Sequence, residues 1–437
     1  MKSVPLAADH TRSGALFRIW GRIRSSLFWI VVIAFVVRVA WILIGHTYKF
    51  KTSDENFGFG WEMGRIAESI ASGHGFSNPF GPPTGPTAWE PPLYPYLAAG
   101  VFLVFGAYTK ASAFVLLTLN SASSALTCIP IFRIARRMFS ETVAVGSTWA
   151  WVLLPNVIFW CTRSIWETSL SALLLALIVW LALTMEDRDG LLPWFGFGLL
   201  WGIAALNSPS LLSFLPAAGL WGWYRRAKRG QQSVPGIVLA SVVFFACITP
   251  WLVRDYRAFG NFIFIRDNFG AELRLGNGPG ADGTLMLYQD PHHDPSAMQQ
   301  FVSMGELTYI GMRKRQAIDY INADYTGFAW LCVKRFFWFW TSPPKPTRPA
   351  WLEPLKQSLF LASSLLMFCG LGLALRQRRP GTWLLFWLVL LYPAIYYVVY
   401  AIQRYRHPIE PEMAILCVFL LTEIFPANLL DKTRHSP

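Results

Sequence analysis

Charged residues are scarce in this chain: they make up 14% of its 437 residues, against 54% hydrophobic and 16% aromatic. A soluble domain carries about a quarter charged residues, so that class is excluded. Short alternating strand segments are lacking too. Apolar runs of about 20 residues recur instead, each long enough to cross ~30 Å of hydrocarbon as a helix, which excludes a β-barrel. Paired cysteines are also missing. The six that occur (Cys128, Cys161, Cys247, Cys332, Cys369 and Cys417) are scattered, mostly inside apolar runs and without a CxxC pair. They read as small buried hydrophobes rather than disulfides or metal ligands. No internal repeat, coiled coil or low-complexity segment interrupts the pattern. The expected fold class is an all-α polytopic membrane protein.

What is present is a net charge of +13, gathered in short clusters between the apolar runs. That is the positive-inside pattern and not a nucleic-acid surface. The first run, Ser25 to Tyr48, follows Arg12, Arg18, Arg22 and Arg24 and is too long for a signal-peptide core, so it reads as an anchor with a cytoplasmic N-terminus (1–26). Arg133/Arg136/Arg137, Arg225/Arg226/Lys228/Arg229, Arg376/Arg378/Arg379 and Lys432/Arg434 then fix the cytoplasmic side. They predict about ten spans, near 27–47, 111–132, 142–160, 167–184, 191–206, 208–224, 236–253, 357–375, 382–401 and 410–429. The segments are a membrane module (27–253) with an outer loop at 49–110, a large extracytoplasmic loop (254–356), C-terminal spans (357–429) and a cytoplasmic tail (430–437). The acidic loop Met185 to Gly190 falls on the cytoplasmic side, where acids weigh little.

Two pieces of the first outer loop read as juxtamembrane helices. Leu93 to Gly106 is too short to cross. In the stretch GWEMGRIAESIASGHGFSNPF, Phe59, Met63, Ile66, Ala67 and Ile70 share one helical arc while Glu62, Arg65, Ser69 and Ser72 share the other, and Gly73 sits where a left-handed cap would end the helix. Such a helix lies in the membrane surface with its polar edge toward water. In the second loop, Trp330 to Pro344 reads as a further interfacial helix, with Lys334 and Arg335 snorkelling to headgroups.

Inside the spans Arg38 and Glu423 are the main charges. The other ionisable groups crowd at the outer surface: Asp54, Glu55, Glu62, Glu90, Arg163, Glu167, Arg254, Asp255, Arg257, Arg266, Arg404, Arg406 and His407. Acids beside cations next to a bilayer suit displacement at a sugar carbon with a lipid-linked phosphate as leaving group. A carboxylate takes the acceptor's proton and arginines hold the phosphate.

The order of an N-terminal anchor, an acidic outer loop, IAESIASGHGFSNPF, PTAWEPPLYPYLAAGVFLVFG and RYRHPIEP resembles the GT-C glycosyltransferases of the protein mannosyltransferase and aminoarabinose transferase type. The resemblance implies the GT-C fold and transfer of a sugar from a polyprenyl-phosphate carrier at the outer face of the inner (cell) membrane. The partners implied are membrane lipids and an acceptor that is a glycan, lipid or protein. It also implies a catalytic acid in the first outer loop and admits a divalent metal, for which the sequence offers no ligand set. Family members place an Asp-Glu pair nearer the SG that closes the first juxtamembrane helix. Here Glu62 is the favoured base, with Asp54 or Glu55 as the alternative.

Each candidate has a plainer role beside it. Glu62 could pair with Arg65 on a solvated face. Glu90, a supporting acid at the acceptor site, could cap a turn before the prolines. Glu167, an orienting acid with Arg163 one turn back, could cap a helix. Arg254 and Arg257 sit where positive charge is disfavoured, as do Arg404 and Arg406 with Tyr405 and His407, so carrier phosphate or anionic lipid should face them. Asn207 could bond a sugar hydroxyl or hold a turn. His292 to Asp294 reads as solvated histidines rather than a metal site. The rival functions are a lipid-linked sugar flippase, which needs a polar path the spans hardly offer, and a polysaccharide ligase or polymerase.

Overall fold

The computed structural model describes residues 26–50, 57–344 and 351–425, and among these the regular elements are helices. The first part runs α1 (Leu27–Ile44), α2 (Glu62–Ala71), α3 (Leu93–Phe105), α4 (Lys110–Leu126), α5 (Cys128–Met138), α6 (Glu141–Leu153), α7 (Pro155–Arg163) and α8 (Thr168–Thr184). It continues with α9 (Leu192–Asn207), α10 (Leu215–Lys228) and α11 (Val234–Phe259). The segment expected as the second outer loop is itself helical: α12 (Phe269–Gly276), α13 (Pro295–Met304), α14 (Glu306–Ala323) and α15 (Tyr325–Thr341). The chain closes with α16 (Leu352–Arg376), α17 (Thr382–Leu391), α18 (Ala394–Val398) and α19 (Glu410–Ile424), the last preceded by a 3-10 segment, Gln403–Ile409. Asp54 and Glu55, the termini 1–25 and 426–437, and with them Lys432 and Arg434, lie outside the described residues.

In α7, α9, α10, α11, α13 and α19 a proline occupies the first turn, where its missing N–H has no partner to lose, while Pro250 lies inside α11. Side-chain caps start others: Thr109 accepts from Ser112 N at 3.0 Å and Ser140 from Val143 N at 3.2 Å. Pro155 breaks the span predicted at 142–160 into α6 and α7, bent by 50°.

Five stretches are long and apolar enough to cross a membrane: Leu27–Ile44, Lys110–Met138, Thr168–Asp187, Val234–Phe259 and Leu352–Arg376. The bent α6–α7 pair makes a sixth if it is one span. The helices at the other positions expected to cross are shorter, 16 residues in α9 and 15 in α19. Close backbone approach ties the bundle. A Cβ on Gly198 of α9 would lie 2.2 Å from the Ala240 carbonyl oxygen of α11, the small-residue contact by which helices pack in lipid.

The acidic loop finds its partners at one end of the bundle. Glu186 accepts from Arg137 at 3.0 Å and Arg225 at 2.6 Å, and Asp187 accepts from Arg229 at 3.0 Å. An acidic loop is thus seated among the basic clusters with which the charge pattern grouped it. At the other end α2 packs on α3, burying Phe59, Met63, Ala67, Tyr94, Ala98 and Phe102 together. The predicted apolar arc of α2 is therefore a packing face, and Gly73 adopts φ +83° just beyond the helix.

Candidate active site

Three side chains from distant sequence hold the strip Phe76–Glu90 between α2 and α3. Arg254, near the end of α11, donates to the Phe76 and Thr87 carbonyls, the latter at 2.6 Å, and to Asp255 at 2.8 Å. Glu306, the first residue of α14, accepts from Ala88 N at 2.6 Å and from the Thr87 hydroxyl. Arg266 donates to the Trp89 carbonyl at 3.0 Å and pairs with Glu90 and Glu272, each at 3.4 Å. The strip is folded on itself only by the Ser77–Pro86 bridge and the Asn78–Gly85 and Thr87–Phe76 backbone bonds, and the three distant side chains anchor it where Glu90 stands.

Around Glu90 the carboxylates gather. Glu62, on the first turn of α2, is 8% exposed. Burial, and then the like charges of Asp290, Glu90 and Glu272, hold it well above the ordinary carboxyl range. This corrects the expectation of a water-facing polar edge: the segment Asp290–His293 covers that turn, with His292 and His293 5.3 and 5.0 Å from the Trp61 ring. Burial also raises Glu90 to about 7, against the pull of Arg266, with Glu167 and Glu272 adding to the rise. Burial raises Asp290 to about 6.

The cation facing these acids is Arg404, in the 3-10 segment before α19. Its guanidinium carbon lies 3.6 Å from the centre of the Trp166 ring, a close cation–π stack. Burial alone would favour its neutral form, but Glu167, Tyr405, Tyr400 and Glu90 outweigh that and hold it charged. Among the described residues no group accepts a hydrogen bond from it, and Nε is shielded without a partner. One oxygen each of Glu90 and Glu167 is likewise buried and unpartnered. Tyr405 stacks on Tyr396 at 4.2 Å and donates to Tyr400 at 3.2 Å, and Tyr400 donates to Glu272. A tyrosine chain thus joins the C-terminal strip to α12.

The structure therefore brings together Glu62, Glu90, Glu167, Arg404 and Tyr405. It adds Glu272, Asp290 and Arg266. Arg266 stood out in the sequence as an outer-face charge without a role, and the first two gave no signal, because their segment has neither periodicity nor motif.

Other expected residues are placed elsewhere. Arg254 is engaged by backbone carbonyls. Arg406 and His407 are buried and bonded to Glu410, at 3.2 and 2.8 Å, with Asn156 donating to the same carboxylate at 2.7 Å and Ser364 accepting from Arg406 at 3.1 Å. A guanidinium so surrounded has little left for a phosphate. Arg163 and Arg257 are exposed. Asn207 is buried, donates to Ser171 at 2.9 Å and leaves Oδ1 unpartnered. Arg335 does not snorkel: it is fully buried and donates to the Val398 and Gly276 carbonyls and Asn277. His292 and His293 are half-buried against Trp61 rather than solvated. Among the described residues no three His, Cys, Asp or Glu side chains are arranged to hold a metal ion. The carboxylate cluster as built does not fit one.

Residues 89–253 match the family model described as Dolichyl-phosphate-mannose-protein mannosyltransferase. No curated protein matches the chain. Among solved structures, the oligosaccharyltransferase of Archaeoglobus fulgidus in the apo form aligns with TM-score 0.53 at 15% identity, covering 93% of this chain and 51% of that one. The same archaeal enzyme, AglB, in complex with an inhibitory peptide and a dolichol-phosphate, gives the same figures. ArnT from Cupriavidus metallidurans bound to undecaprenyl phosphate aligns with TM-score 0.40 at 14% identity, covering 91% and 78%. The chain spans about half the length of the archaeal oligosaccharyltransferase. With helices throughout its described residues, membrane-crossing segments and an architecture shared over nearly its whole length, the chain is a multi-pass membrane protein of the GT-C fold.

Proposed function

We propose that this chain is an inverting glycosyltransferase that moves a sugar from a polyprenyl-phosphate carrier to an acceptor at the extracytoplasmic face of the inner (cell) membrane. The observation that carries the reading is Arg404: a half-buried guanidinium, stacked on Trp166 and set among acids, that donates to no acceptor among the described residues. Guanidinium forks match phosphate oxygens, and stacking fixes the plane of the fork before the ligand arrives.

In the reaction, an acceptor hydroxyl oxygen attacks the sugar's anomeric carbon from the face opposite the phosphate. The carbon–oxygen bond to the phosphate breaks with its electron pair, and Arg404 stabilises the charge that grows there. The hydroxyl proton passes to Glu62, whose raised pKa makes its ionised form a stronger base than an ordinary carboxylate. Glu90, held by Arg266, and Glu167, opposite Arg404, offer their free oxygens to sugar or acceptor hydroxyls. Asp54 and Glu55 are the alternative bases.

The test is incubation of the purified protein with labelled polyprenyl-phosphate sugar, measuring released polyprenyl phosphate. Wild type should release it, and Glu62→Gln should slow release by about 10³-fold. No release by wild type, whatever acceptor extract is added, is the result a flippase would give.

A further inference from the structure

The proposed chemistry makes no use of the outer histidine pair, yet one of the two rings is in an arrangement that fixes its proton. Nη1 of Arg65 lies 2.5 Å from Nδ1 of His292. A guanidinium has only donors and stays charged at every working pH. Nδ1 must therefore accept, and the ring proton sits on Nε2. Burial, and then the charges of Arg65 and His293, push the imidazolium pKa down to about 4, so the ring is neutral. Nε2, on the side of the ring away from Arg65, is shielded from solvent and meets no acceptor among the described residues.

A dry donor with no partner is disfavoured unless something outside the chain supplies the acceptor atom. The ring is well held for that purpose. Its backbone N–H donates to Asp290 at 2.7 Å, and its face tilts onto Trp61. Trp61 precedes Glu62, and Arg65 follows one turn later. His292 therefore covers the turn of α2 that carries Glu62. The turn of α2 that the ring covers carries Glu62, about which the carboxylates of Asp290, Glu90 and Glu272 gather and repel anions, so an uncharged oxygen is the fitting partner there.

We propose that His292 Nε2–H is the hydrogen-bond donor of an acceptor subsite beside Glu62, taking an uncharged hydroxyl or carbonyl oxygen of the acceptor next to its attacked hydroxyl. The word acceptor rests on the transferase reading; the donor site does not. The experiment is NMR of full-length protein in nanodiscs with 15N-labelled histidine, using glycerol as the probe. His292 is assigned by the signal lost in His292→Gln. The expected result is a neutral ring protonated on Nε2 from about pH 5 to 8, the range in which an ordinary histidine titrates. Its Nε2 signal should move with glycerol while the other histidines stay still. A proton on Nδ1, titration in that range, or indifference to glycerol overturns the proposal. Glu62→Gln, inactive under the transferase reading, should keep both the signal and its response. Failure of the release assay and failure of this site are thereby told apart.

Discussion

At the scale of single residues, the acids differ in what their surroundings ask of them. Glu62 lies among like charges and out of water, so its ionised fraction grows only above the ordinary carboxyl range, and release should climb as pH rises. Asp290→Asn removes the foremost of those like charges, so the rising limb of the pH–rate curve should move to lower pH. Arg404→Ala should lower kcat/KM for the labelled donor about 100-fold, or about 2.7 kcal/mol, the scale of losing one group that stabilises transition-state charge. Arg404→Lys should recover little of this, because a lysine keeps the charge but neither stacks on Trp166 as a plane nor offers a fork. Glu90, Glu167 and Arg404 were picked out in sequence, since a charge in an apolar chain stands out. Glu272 and Asp290 were not, because what marks them is a neighbour more than 100 residues away.

At the scale of elements, the strip Phe76–Glu90 depends on Glu306. Glu306→Ala leaves the Thr87 hydroxyl and the Ala88 N–H unsatisfied, each costing about 1–3 kcal/mol, and should lower the unfolding temperature in detergent. Burial raises Glu306 from the ordinary 4.5 to about 7. Between those values the folded chain binds more protons than the unfolded one, so this residue's contribution to stability falls as pH rises across the window. Glu306→Gln should flatten that dependence in pH-resolved melting curves. The helices α2 and α3 were legible, from one amphipathic arc and one short apolar run. Where the polar arc of α2 faces was not, since a wheel reports periodicity and not what later folds over it. Of the segment after Arg254, only the part that became α15 was read as a helix, at Trp330 to Pro344, while α12 to α14 read as loop because they bury scattered faces and leave no clean stripe.

At the scale of the whole molecule, a second buried centre lies apart from the proposed chemistry. Glu410 holds Arg406, His407 and Asn156 between helices far apart in sequence. Glu410→Ala should destabilise the protein by about 3–5 kcal/mol, the cost of stranding a buried partner, and the folded remainder should keep its KM for the labelled donor. A large KM change with intact stability would instead put this centre on the substrate. The strip RYRHP illustrates the division. Sequence alone established that it is polar and aromatic in an apolar chain, and it established the helical membrane class, the basic clusters and the amphipathic arc of α2, because hydropathy and charge act locally. Only the tertiary structure decided that Arg404 faces the acids while Arg406, two residues on, turns into Glu410. Which side of a 3-10 segment meets which neighbour is set by packing between distant helices, and no local pattern encodes it.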